Sequence, residues 1–202
     1  PPAARLKKIK ALLDPNQGHF SSLEYSALPK LYQQLSDRDL LSARMLQFTI
    51  LTCMRTTTVL KVQWNHIDMR ERVWSIPAIH MKSKRPFVVA LSGEVIRLLT
   101  SLPTVSDYIF PSPSDFAKPM SNNTMLSLLK KYMGYPDYTV HGFRATFRTW
   151  VGETTHYGRD LAEYAMAHQV GSDVERSYQR SDLLQKRTKL MEDWANFLIG
   201  EK

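Results

Sequence analysis

His141-Gly142-Phe143-Arg144-Ala145-Thr146-Phe147-Arg148-Thr149-Trp150 is the stretch on which the fold turns. Thr139 just ahead of it is a plausible N-cap, and the spacing predicts a helix from about His141 to Val151. His141 and Arg144 stand three residues apart and so share a face, with Arg148 one turn further on. An H-x-x-R pair in a chain with six histidines is weak by itself. His156-Tyr157-Gly158-Arg159 is a second match, in a polar, glycine-containing stretch that reads as a loop.

Upstream, Ser36-Asp37-Arg38-Asp39 reads as the cap of a helix whose apolar positions Leu40, Leu41, Met45, Phe48 and Leu51 keep the 3.6-residue period. Arg55 then falls just past a buried helix end. Val73–Ile76 and Phe87–Leu91 are rich in β-formers, and the polar segment His80–Pro86 between them makes a hairpin carrying Lys82, Lys84 and Arg85. Ser92 caps a helix that Pro103 terminates, and another helix runs from about Asn123 to Met133 before Gly134. Pro111, Pro113 and Pro119 mark a loop between the two.

Downstream, Leu161, Tyr164, Ala165 and His168 suggest a helix, and Ser172 with Glu175 forms a capping box for a short helix carrying Tyr178. Asp182 caps the last helix, with Leu183, Leu190, Met191, Trp194, Phe197 and Leu198 on one side. Lys186, Arg187, Lys189, Glu192 and Asp193 lie mostly opposite. Trp64, Trp74 and Trp150 each sit in an apolar segment and read as core. The fold class is therefore mainly α with a small antiparallel β-sheet, α+β.

The 202 residues are 43% hydrophobic and 23% charged, the balance of one globular domain rather than a disordered or repeat chain. No apolar run approaches the roughly 20 residues a membrane span needs. A single cysteine, Cys53, excludes an internal disulfide and a cysteine-rich zinc site, and its apolar neighbours favour burial. None of the histidines has H-E-x-x-H spacing, so no metal is assigned. The net charge of +8 favours a polyanionic partner.

Taken together, the segments resemble the tyrosine recombinases, the phage-type integrases. The stretch His141–Trp150 is similar to that family's H-x-x-R-H/A-T-F-x-T/S box, and Thr52-Cys53-Met54-Arg55 with Trp64, Ile67 and Asp68 to its T-x-x-R…W-x-x-I-D segment. Met81-Lys82 with Arg85-Pro86 looks like the lysine hairpin, Met166-Ala167-His168 like the L-A/G-H box, and Ser177-Tyr178-Gln179-Arg180 like the nucleophile segment. The I-P-A…M-K…R-P and A-H…Y-x-R details are similar to the branch of satellite-phage and genomic-island integrases. Thr58 stands where the family usually has a carboxylate, Ala90 replaces a common Pro, and Phe87 a frequent His.

The resemblance implies a catalytic set of Arg55, Lys82, His141, Arg144, His168 and Tyr178, with Tyr178 the nucleophile and Lys84 the other candidate for the lysine role. Lys84, Arg85 and Arg180 would contact the DNA backbone. It implies site-specific recombination through a 3′-phosphotyrosine intermediate, with no metal, ATP or other cofactor. The rival readings are relaxation of supercoils, as in type IB topoisomerases, and a DNA-binding module impaired in catalysis.

The expected partner is double-stranded DNA carrying attachment sites. A homotetramer would form on DNA from domains that are monomeric alone, with room for accessory DNA-bending proteins. The expected location is the bacterial cytoplasm, at the nucleoid. Residues 1–20 read as a linker from an upstream core-binding domain, and 21–202 as the catalytic domain. The helix over 182–199 has a stripe that suits docking on a neighbouring subunit and equally on its own chain.

Two chemical demands fit this set without the family. Tyrosine, with a pKa of about 10, is almost wholly protonated at neutral pH, so attack on phosphorus needs a base or nearby cations. The attacked phosphodiester gains charge on its non-bridging oxygens, and guanidiniums offer fixed forks of donors to them. Arg55 and Arg144 suit that need, His141 can accept the phenolic proton or donate to a phosphate oxygen, and His168 can add a further donor. A lysine with cationic neighbours, as Lys82 has in Lys84 and Arg85, suits protonation of the leaving 5′-oxygen.

Overall fold

The computed structural model describes residues 22–168 and 180–201 of the chain. The expected linker over 1–20, the capping box at Ser172 and Glu175, and Tyr178 lie outside the described residues.

Helix α1 (Leu28–Ser36) follows a short 3-10 turn and has proline in its first turn, where a missing N–H costs nothing. Leu28, Leu31, Tyr32 and Leu35 form its buried stripe. Ser36 and Asp37 close this helix instead of capping the next. Ser36 Oγ donates to the Tyr32 carbonyl and accepts from Gln47 Nε2 at 2.7 Å, while the Asp37 carboxylate accepts from Gln33 Nε2 at 2.9 Å. With those oxygens engaged, α2 (Leu41–Thr52) starts at Leu41 without a side-chain cap.

Helix α2 is buried on nearly all sides, from Ala43 and Met45 through Thr52. Its polar members are satisfied internally, Thr49 and Thr52 each donating to the carbonyl four residues back, at 2.8 and 2.7 Å. The helix stops where Cys53 takes a left-handed conformation, φ 53°. Such a backbone is uncommon for a residue with a side chain and ends a helix abruptly.

A three-stranded antiparallel sheet, in the order β1 (Ile67–Asp68), β2 (Val73–Ile76), β3 (Phe87–Ala90), packs against α2. Trp74 pairs with Val89 across β2 and β3, and both are buried. Phe48 of α2 meets Trp74 at 5.4 Å and Phe110 at 5.5 Å between ring centroids. The hairpin is the one the sequence predicts, except that its connection contains a 3-10 turn over Ala78–His80.

Ser92 caps α4 (Gly93–Thr100) as expected, its hydroxyl accepting from the Val95 amide; the short α3 (Thr56–Val59) lies before the sheet. The proline-marked loop instead contains a two-stranded ribbon, β4 (Pro111–Ser112) with β5 (Asp115–Pro119). Pro111 and Pro119 pair opposite each other at its end, where a missing N–H interrupts no longer ladder. The helix expected over 123–133 is present as α5 (Thr124–Ser127) continued by a π turn over Leu128–Tyr132.

Helices α6 (Gly142–Thr154), α7 (Arg159–Ala165) and α8 (Arg180–Ile199) complete the domain. Asp182, expected as the cap of helix α8, lies within it. Its apolar stripe packs on its own chain: Leu190, Met191, Trp194, Ala195 and Leu198 are buried. Trp194 stacks among Phe147, Trp150 and Phe197, with centroids 4.9 to 5.7 Å away, and its indole N–H donates to the Ile50 carbonyl at 3.0 Å.

Arg187 departs from the expected polar face. It is buried, donates to the Val88 carbonyl at 2.7 Å and lies 4.9 Å over the Phe87 ring. The stack and the carbonyl of β3 supply what a guanidinium needs in order to be covered. Glu192 reaches the start of α4, where its carboxylate accepts from the Gly93 amide at 3.0 Å.

Removing Trp194 takes away a large buried side chain and a hydrogen bond to the end of α2. Trp194→Ala should cost about 3–5 kcal/mol of folding stability, read as a lower denaturation midpoint in urea. Stability within 1 kcal/mol of the parent, roughly a surface-like change, would refute the place given to α8.

Candidate active site

The left-handed turn at Cys53 sends the chain out of α2 and puts Arg55 at the head of α3. The Arg55 carbonyl accepts from the amides of Thr58 and Val59 at 2.9 and 3.0 Å, so the backbone carrying its side chain is held by the first turn of α3. Thr58 is buried in that turn.

On the facing element, Thr139 Oγ1 accepts from the Gly142 amide at 3.1 Å and opens α6. His141 is the N-cap, and Arg144 lies one turn into the helix, 5% exposed. The guanidinium of Arg144 closes a gap between three segments. Nη1 donates to the Cys53 carbonyl, and Nη2 donates to the Met166 carbonyl at 2.9 Å and contacts His168 Nε2 at 2.5 Å. Nε is buried with no partner among the described residues. Burial, with the charge of Arg55 adding to it, pushes the Arg144 pKa down to about 10, so the group remains cationic at neutral pH.

His168 lies beyond α7, past a left-handed Ala167 (φ 56°) and with its amide bonded to the Glu163 carbonyl at 2.9 Å. Its Nδ1 meets the Glu163 carboxylate, which also pairs with Arg148 at 3.4 Å. Burial lowers the His168 pKa; the Glu163 bond opposes that and the charges of Arg144 and Arg55 reinforce it. The pKa of His141 is lowered by burial first, then by Arg144, Arg55 and His168.

Arg55, His141, Arg144 and His168 are thus brought together from three separate stretches of sequence. Lys82, Lys84 and Arg85 are exposed on the connection between β2 and β3, with Lys84 in a left-handed conformation. Tyr178 lies outside the described residues, two positions before the first described residue of α8. The second H-x-x-R match falls where α6 passes into α7, and the Tyr157 hydroxyl within it donates to Asp193. Cys53 is buried, and burial pushes its thiol pKa up. Among the described residues no group of three or more His, Cys, Asp or Glu side chains could hold a metal ion, and no helix is long and apolar enough to cross a membrane.

Glu163 is the residue that sequence reasoning missed. It stands five positions before His168, a spacing that brings the side chains together here because Ala167 takes a left-handed conformation after the helix ends. No periodicity announces such a pair.

Burial lowers the pKa of His66, His80, His141 and His168 below the ordinary 6.5. Below that value the unfolded chain takes up protons that the folded chain refuses, so their contribution to stability is full above about pH 6.5 and is lost as pH falls. The urea midpoint should decline between pH 7.5 and 5.5, and a midpoint that rises over that window would contradict the assignment.

The description "Phage integrase family" matches residues 21–184. The integrase of Shigella phage Sf6 is 34% identical over 164 residues, 79% of this chain and 41% of the phage protein. Prophage integrase IntS of Escherichia coli is 32% identical over a stretch of the same length. This chain therefore spans less than half the length of these relatives. The integrase from mycobacterium phage Brujita superposes with a TM-score of 0.65 at 17% identity, over 85% of this chain and 57% of that one. XerA recombinase superposes with a TM-score of 0.55 at 12% identity, over 82% and 65%. Those two structures show a shared fold. The match over residues 21–184, on a chain whose two arginines and two histidines converge at the end of one buried helix, establishes that it belongs to the phage integrase family.

Proposed function

We propose that this chain is the strand-cleaving part of a site-specific DNA recombinase that integrates or excises a mobile element. The observation that carries the reading is the convergence of Arg55, Arg144, His141 and His168 around a buried guanidinium that stays charged. In this reading Tyr178 Oη attacks the scissile phosphorus, and Arg55 and Arg144 donate to the non-bridging oxygens as charge builds there. His141 accepts the phenolic proton, His168 adds a donor to a phosphate oxygen, and Lys82, with Lys84 the alternative, protonates the departing 5′-oxygen. A 3′-phosphotyrosine results, and attack on it by a 5′-hydroxyl of another strand rejoins the DNA. The phosphoryl bond is exchanged rather than hydrolysed, so no ATP or metal is required.

The partner is double-stranded DNA bearing attachment sites, in the bacterial cytoplasm at the nucleoid. The +8 net charge suits it. Lys84, Arg85 and Arg180 would lie on the phosphate backbone, and a core-binding domain joined through residues 1–20 would cover the opposite face of the duplex. Four such subunits on two sites, with accessory bending proteins, would complete the exchange.

Incubated with a nicked suicide substrate in excess chelator, the chain should form a covalent adduct that survives denaturing electrophoresis. Tyr178→Phe should abolish the adduct, with duplex affinity changed by less than about twofold because only the nucleophilic oxygen is lost. An adduct from the variant would move the nucleophile elsewhere, and activity that needs added metal would overturn the mechanism.

Lys82→Ala should cleave ordinary DNA very slowly and recover when the bridging 5′-oxygen is replaced by sulfur, since a thiol of pKa about 8.5 leaves with little proton donation. Arg55→Ala and Arg144→Ala should not recover. Rescue of Lys84→Ala instead would transfer the role by two residues, and rescue of neither would remove the general acid from this hairpin.

A further inference from the structure

Two neighbours among the described residues, Glu163 and Arg144, determine the protonation of the His168 ring. The carboxylate of Glu163, 13% exposed, can only accept, so Nδ1 carries the proton. The Nη2 group of Arg144 can only donate, so Nε2 presents its lone pair. The ring is therefore neutral in the DNA-free protein, with one nitrogen tied to Glu163 and the other occupied by the arginine proposed to bind the phosphate. That arrangement must open before His168 can serve a phosphate. Nε2 has to gain a proton, and Arg144 has to turn that N–H away from the ring.

We propose that Glu163 is a positioning residue of the cleavage reaction: it holds His168 in the Nδ1–H form that braces Arg144, and it stabilises the imidazolium that forms when a DNA phosphate enters. The exchange balances simply. His168 takes one proton from solvent at Nε2, the phosphate oxygen accepts from it, and the released Nη2 N–H of Arg144 turns to the same phosphate.

The charged groups around the ring define the need for a carboxylate. Arg144 on α6 and Arg55 at the head of α3 both oppose protonation of His168, as does burial, and His141 is coupled to the same ring. Among the described residues, Glu163 on α7 is the group that favours it. Burial would raise the Glu163 pKa, but the bonds from His168 and Arg148 outweigh it and hold the group below the ordinary carboxylate value, so it is charged throughout the working range. Thr58, at the position where the resemblance leads one to expect an acid, brings no charge to the cluster.

The inference rests on the cleavage reading above, so its test has one arm in turnover and one without it. In adduct formation, the rate should fall at high pH as the imidazolium is lost. Glu163→Gln should move that limb down by about one pH unit, reducing the rate about tenfold at neutral pH and converging with the parent at lower pH. Glu163→Asp, which keeps the charge with a shorter reach, should leave the limb in place while lowering the rate. In the DNA-free chain, the ring ¹⁵N shifts of His168 should report protonated Nδ1 and bare Nε2, and Glu163→Gln should lower its titration midpoint and mix the tautomers.

An equal loss at every pH would make Glu163 merely structural. Identical ¹⁵N titrations in the chain and in Glu163→Gln would overturn the pairing itself. If the chain forms no adduct, the cleavage reading fails, while the nitrogen shifts still decide whether Glu163 sets the state of His168.

Discussion

Everything near the site depends on how helix α2 ends inside the protein. Its last carbonyls have no successors in the helix and no water to turn to, and leaving them unpaired would cost about 1–3 kcal/mol each. Two side chains from distant sequence answer this need. The Trp194 indole donates to Ile50, and the Arg144 guanidinium donates to Cys53. The first ties α8 to the core, and the second fixes the buried cation beside Arg55. The same peptide groups that terminate α2 thereby locate the site.

This arrangement gives Arg144 two duties that conflict in isolation. A buried guanidinium is costly unless its donors are met, yet a group that is to bind an anion must keep donors available. The structure divides the fork. Nη1 and Nη2 face protein acceptors, one of them the ring nitrogen of His168, while Nε has no partner among the described residues. Such incomplete pairing is rare in a finished core and is concentrated where function requires it.

Much of the domain was legible because it follows periodicity and local capping. The hairpin, the Ser92 cap, the start of α6 at Thr139 and the burial of Cys53 all depend on near neighbours in sequence. What was illegible depends on contacts far along the chain. Ser36 looks like the cap of α2, but Gln47 and the end of α1 claim its oxygen. Arg187 belongs by pattern to the wet face of α8 and is covered because Phe87 and Val88 lie over it. Glu163 reaches His168 only through a left-handed alanine, a conformation that no propensity assigns to that residue. In the site, motif context offered the candidates, and the fold brings Arg55, His141, Arg144 and His168 together, whereas their protonation and bracing required the packed structure.

Strand β3 forms one edge of the three-stranded sheet, and an edge is where a second polypeptide can add itself by backbone pairing. Arg187 occupies the Val88 carbonyl at this edge, and its charge is stacked on the neighbouring ring. A strand arriving there would meet a hydrogen-bonded guanidinium at the Val88 carbonyl in place of a bare acceptor. The buried arginine of α8 thus leaves this edge with one fewer free backbone acceptor for a second strand to pair with.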